Sequence, residues 1–171
     1  MLKELFNNKA IKAKTKVSQV GEWLLSRELH LHELLVFAET QGGTVKASCI
    51  EAMEYATRQK PAIADAKLFA FVTGALNEEA PRIKWESARV IGNIAFIFPA
   101  KLKSCIKSLV ENANHEGSVV RWASAYALAA ILELNTKLNT SLLPEVERLA
   151  QKETDNGVKK KYLAALKKLK K

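Results

Sequence analysis

Apolar positions recur along this chain on two scales. The short scale is helical. From Ala80 to Pro99, Ile83, Ser87, Val90, Ile91, Ile94 and Phe98 fall on one arc at about 100° per residue. Pro81 suits the first turn of such a helix, and Pro99 stops it. The long scale is a repeat. The stretch from Gly117 to Asn135 carries the same pattern, and Gly43 to Pro61 and Asn156 to Lys171 carry it more faintly. Val45, Ile83, Val120 and Val158 align at spacings of 38, 37 and 38 residues. A cation follows each: Lys46, Lys84, Arg121 and Lys159. Five positions after the first residue stand Ile50, Ala88, Ala125 and Leu163, and eight after it Met53, Ile91, Leu128 and Leu166. A period near 38 residues with small or apolar residues at each core-facing place marks a repeat architecture.

Each strong segment, a B helix, is preceded by a weaker amphipathic one, an A helix. The A helices are expected at Glu28–Thr40, Ala62–Asn77, Ala100–Asn112 and Ser141–Thr154, with Leu35, Val72, Val110 and Leu149 facing inward. Gly42-Gly43, Gly117 and Asn156-Gly157 fall between A and B helices, where tight helix–helix turns need permissive backbone. Residues 16–26, with Val20, Trp23, Leu24 and Leu25, are expected to cap the first repeat. Residues 1–13 form a short amphipathic helix that belongs to that cap, docks on a partner or frays.

The segments IKWESARVIGNIA and VRWASAYALAAIL resemble HEAT repeats, in the short form related to the phycobilisome-lyase repeats. Both show an apolar residue, a basic residue, then small residues and a Leu or Ile. The resemblance spans about residues 28–171. Many such repeats carry an Asp just before the apolar–basic pair; only Asp155 stands near that place here. The fold implied is all-α: a right-handed α-α superhelix of about four helix pairs plus N-terminal capping helices. One domain over 1–171 divides into a cap at 1–27 and repeats at 28–61, 62–99, 100–139 and 140–171.

Charge changes the picture only at the ends. The net charge is +9, but residues 1–16 carry +4 and residues 158–171 carry +7, so residues 17–157 carry −2. Lys159, Lys160, Lys161, Lys167 and Lys168 are candidate anion contacts; as a group they also suit a polar terminal cap at the negative end of a helix dipole. The ladder Lys46, Lys84, Arg121 and Lys159 lies at the core edge, where Glu79, Glu116 and Asp155 in the preceding turns stand to receive it.

Chemistry is sparse. There is no CxxC, no Gly-rich phosphate loop and no nucleophile elbow. His30 and His32 fall on different helical faces, and His115 lies in a turn. Cys49 and Cys105 sit among small or apolar residues, as buried thiols of a reducing compartment do. No apolar run suffices for a membrane span, and the N-terminal residues lack a signal core, so a cytoplasmic location is expected. No cofactor, metal or enzymatic activity is expected.

The outward arc of the B helices is richer. It carries Trp85, Arg89 and Phe96, with Trp122 and Tyr126 on the next repeat. Trp85 and Trp122 occupy equivalent places, so adjacent helices would set them side by side. HEAT-like solenoids line a concave surface with B helices and bind along it. Aromatic and Arg side chains there resemble interface anchors. The reading is a protein–protein interaction module that holds a protein or peptide on this face. The alternative is nucleic-acid binding through the basic ends and the aromatic face, as in HEAT-like DNA-repair glycosylases. Those carry a catalytic Asp that no central B helix offers here.

Overall fold

The computed structural model describes residues 1–171, which form ten α-helices and no strands. They are α1 (Leu2–Asn7), α2 (Ala13–Ser26), α3 (Leu31–Glu39), α4 (Gly43–Gln59), α5 (Ala66–Ala75), α6 (Pro81–Ile94), α7 (Lys103–Asn112), α8 (Ser118–Glu133), α9 (Asn139–Lys152) and α10 (Asn156–Leu169). The expected pairs are therefore α3–α4, α5–α6, α7–α8 and α9–α10. The B helices α4, α6, α8 and α10 pack side by side in sequence, with α2 continuing the row before α4. The A helices α3, α5, α7 and α9 each lie on their own B helix and touch one another far less. The molecule is an α-solenoid with a B layer and an A layer, and 44 buried residues form one continuous core.

Helix ends depart from the periodicity where local chemistry intervenes. The A helix of the second pair starts at Ala66, because Asp65 accepts a hydrogen bond from Leu68 N (2.9 Å) and caps it there. Pro61–Ile63 and Pro99–Lys101 are separate 3-10 turns. α6 stops at Ile94 and tightens into a 3-10 turn over Ala95–Ile97. Phe98 precedes a proline, which drives it out of helical geometry (φ −121°, ψ 50°). It still packs inward, its ring 5.4 Å from that of Phe69.

The N-terminal residues are tied down. Leu2 and Leu5 are buried, Phe6 stacks on Phe37 of α3 (5.7 Å), and Lys16 Nζ donates to Phe6 O (2.8 Å). α2 fills the first place in the B layer, as a cap should. At the other end, Val158, Tyr162 and Ala165 of α10 are buried. Leu163, expected to pack with them, is instead 49% exposed.

The cationic ladder is built, but its partners lie forward. Lys46 pairs with Glu78, and Arg121 Nε with Glu153 (3.1 Å). Lys84 donates to Leu76 O (3.1 Å) and Asn112 Oδ1 (3.2 Å). A side chain on the first turn of a B helix points across to the C-terminal end of the next A helix. Its side-chain partner is therefore in the following pair, not among the carboxylates of the turn before it. Glu79 and Glu116 remain exposed, and Asp155 caps α10 by accepting from Val158 N (3.0 Å). Arg121 also collects His115 O (3.1 Å) and Glu116 O (2.8 Å), so it reaches back to its own turn through backbone, as Lys84 does through Leu76 O.

Candidate functional site

The B layer leaves one face uncovered by A helices, and a connected run of polar and aromatic groups crosses it. It begins on α4 with Glu54, whose side chain is 4% exposed. Glu54 Oε1 receives Arg58 Nε (3.2 Å) and Arg89 Nη2 of α6 (3.2 Å). Arg89 Nη1 reaches Glu86 Oε2 (3.4 Å), and Trp85 Nε1 donates to Glu86 Oε1 (2.8 Å). Beside this chain Arg82 pairs with Glu51 and donates to Ser48 (3.3 Å).

The run continues into α8 through Asn93. Its Nδ2 donates to Glu54 O (3.3 Å) and Thr57 Oγ1 (3.2 Å), and its Oδ1 accepts from the Tyr126 hydroxyl (2.6 Å). Tyr126 stacks on Trp122 with centroids 5.7 Å apart and planes 4° from parallel. These residues are four apart, so one helix turn sets the rings face to face. Lys161 of α10 lies over both, 4.9 Å from the Trp122 centroid and 5.8 Å from that of Tyr126. Four helices thus contribute to one surface.

Small residues make this approach possible. A Cβ on Gly92 would lie 2.3 Å from the Tyr126 ring. The same device joins α2 to α4: a Cβ on Gly21 would lie 2.3 Å from Tyr55, whose hydroxyl bonds Glu22. In each case a Tyr lies on a mid-helix Gly and donates to the residue after it.

Burial sets the protonation of the site. Desolvation raises the Glu86 carboxyl from the ordinary 4.5 to about 7, against the favourable Trp85 hydrogen bond and the Arg89 charge; Glu51 and Glu54 raise it further. Burial likewise raises Tyr126. Cys49 and Cys105 are free and buried, and desolvation holds both thiols up at about 12. They stay protonated at neutral pH and offer no thiolate. No group of three His, Cys, Asp or Glu converges to hold a metal ion.

Of the sequence-derived anchors, the structure brings together Trp85, Arg89, Trp122 and Tyr126. Trp85 and Trp122 do not stack on each other; each ring has its own neighbour, Glu86 for one and Tyr126 for the other. Phe96 falls outside the expected helical arc because α6 ends before it, and it stands 59% exposed in the 3-10 turn. Of the candidate anion contacts, Lys161 is engaged by the aromatic rings, and Lys168 pairs with Glu133 (3.1 Å). Lys159, Lys160 and Lys167 carry no partner among the side-chain contacts.

Sequence reasoning missed Glu54 and Glu86. Their repeat equivalents are Gly92, Ala129 and Lys167 for Glu54, and Ser48, Ala123 and Lys161 for Glu86. A carboxylate at a place held by small residues in the two other internal repeats was the available signal. Gly92, inside the best-formed helix of the repeat, was the matching signal for close approach.

No protein-family model and no curated protein matches the sequence. Solved structures do match in fold. A designed armadillo repeat protein in complex with the peptide (KR)4 superposes with a TM-score of 0.77 at 17% identity, covering 98% of this chain and 79% of that one. The complex of CpcE and CpcF of phycocyanin lyase from Nostoc sp. PCC7120 gives 0.71 at 14% identity, covering 96% and 95%. Computationally designed armadillo repeat proteins for modular peptide recognition give 0.75 at 16% identity, covering 98% and 80%. Likeness at such identity is likeness of fold: this chain has an armadillo/HEAT-like repeat architecture.

Proposed function

We propose that this chain is a non-catalytic scaffold that holds a segment of a partner protein along the concave face of its B helices. The observation that carries the reading is the run from Glu54 to Lys161, where half-buried Trp85, Arg89, Trp122 and Tyr126 share one surface over a buried ionic network. Such a surface presents both charge signs and flat aromatic area, which suits the mixed side chains of a protein segment. Two of the similar folds are described with peptides, one in complex with (KR)4 and one for modular peptide recognition. In this reading residues 1–171 act as one unit, with 1–27 closing one end, and Phe96 adds an apolar contact at the rim.

A catalytic reading draws no support from the side chains. The thiols are buried and protonated, so neither offers a nucleophile. The nucleic-acid alternative draws none either. Two of its five lysines are committed to aromatic rings and to Glu133.

The test is affinity capture from the source cell with and without nuclease, using the full chain and a Trp85→Ala, Trp122→Ala variant. The wild type is expected to retain a defined protein after nuclease. The double variant is expected to keep its helical circular dichroism and lose that protein. Equal capture by both chains would sink the proposal.

A further inference from the structure

One stripe of the B helix recurs at the contact between successive repeats. It comprises the ladder cation and the residues four, eight and eleven places after it. On α4 these are Lys46, Ile50, Glu54 and Thr57; on α6 and its final turn, Lys84, Ala88, Gly92 and Ala95; on α8, Arg121, Ala125, Ala129 and Leu132. Eight of the nine non-ladder residues are buried, Gly92 being half-buried against Tyr126, and each ladder cation meets a carboxylate or amide: Glu78, Asn112 and Glu153. On α10 the same stripe is Lys159, Leu163, Lys167 and Lys170. Here Leu163 is 49% exposed, Lys167 and Lys170 are exposed, and Lys159 has no partner. Leu163, Leu166, Lys159 and Lys170 also border a groove against Glu147 and Ala150 of α9.

The molecule itself shows what covers this stripe. Three times it is a helical hairpin whose outer helix ends in an acid or amide opposite the cation. We infer that the exposed α10 stripe is a docking surface for an acidic helical hairpin of a partner protein, stacked as a further repeat would be. An Asp or Glu at the end of that hairpin's first helix pairs with Lys159, and apolar side chains of its second helix cover Leu163 and Leu166. Charge selects the partner. Residues 158–171 carry seven Lys and no acid, so Lys167 and Lys170 demand carboxylates beside the apolar contact. A second copy stacking head to tail would bring up residues 1–16, themselves at +4, and like charge opposes it. The surface lies on α10 and is distinct from the Trp85–Trp122 face.

The test places a photo-crosslinking p-benzoylphenylalanine at position 163 of the full chain in the source cell. The expected product is a single acidic, helical protein, which is then purified. Its affinity for this chain should fall at least tenfold with Lys159→Glu and with Leu163→Asp, and fall with added salt. An acid-to-lysine change at its helix end should restore binding to the Lys159→Glu chain. Trp85→Ala with Trp122→Ala should leave this affinity unchanged, which separates the test from that of the B face. Unaltered melting of the Lys159→Glu and Leu163→Asp chains excludes misfolding as the cause. A crosslink to a second copy, to nucleic acid or to lipid would overturn the inference, as would no crosslink or a partner indifferent to Lys159→Glu.

Discussion

At the residue scale the site depends on groups whose environment reverses their usual behaviour. Glycine inside a helix normally costs about 1 kcal/mol relative to alanine. At Gly92 that preference is overridden, because an added methyl meets Tyr126. Gly92→Ala is expected to destabilise by about 1–3 kcal/mol. Gly74→Ala, where nothing lies within 4 Å, is expected to stabilise by about 0.5–1 kcal/mol. Urea unfolding of the two variants checks the opposite signs. Glu86 is reversed in another way. Its carboxyl titrates near 7 when folded and near 4.5 when exposed, so between those values the folded chain holds a proton that the unfolded chain has released. Stability from this group therefore falls as pH rises through that window. Glu86→Gln should remove the slope, a difference of roughly 3 kcal/mol between wild type and variant from pH 4.5 to 7. Parallel denaturant titrations across that range measure it. Trp85, Arg89, Trp122 and Tyr126 were legible because they interrupt a polar face at repeat-equivalent places. Glu54 and Glu86 were not, because helical phase alone does not say that a carboxylate is buried by side chains of the neighbouring repeat.

At the element scale the repeat period located all four helix pairs, and the ladder was legible as a series of cations. Its pairing was not. A period tells which residues are equivalent, whereas the direction of pairing depends on which neighbouring helix end each side chain reaches. The forward direction makes the rungs unequal. Glu153 is 5% exposed and receives two nitrogens of Arg121, at 3.1 and 3.3 Å. Arg121→Met leaves that carboxylate buried without its cation and is expected to cost about 3 kcal/mol. Lys46→Met removes a pair whose Glu78 is 38% exposed, and water compensates; the expected loss is under about 1 kcal/mol. Thermal unfolding of both variants distinguishes forward pairing from a generic effect of lost charge. Helix ends were the least legible feature. Asp65 as a cap and Pro99 acting on Phe98 shortened α5 and α6 in ways that the apolar pattern does not encode.

At the scale of the whole molecule the chain separates its surfaces. A near-neutral centre carries aromatic and ionic groups on the B face, and the basic charge is held at the ends. No helix is long and apolar enough to cross a membrane. The fold is shared with repeat proteins of under one-fifth sequence identity, so the architecture is set by the spacing of small and apolar residues and leaves the outward positions free to vary. On the proposed reading the partner is held by outward positions of α6 and α8, Trp85, Arg89, Trp122 and Tyr126. The most direct measurement is amide hydrogen exchange of the full chain with and without the protein captured by it. Slowed exchange is expected in α6 and α8, centred on Trp85–Asn93 and Trp122–Tyr126, with α5 and α7 unchanged. Slowed exchange confined to α5 and α7, or to the two ends of the chain, would contradict binding on the B-helix face.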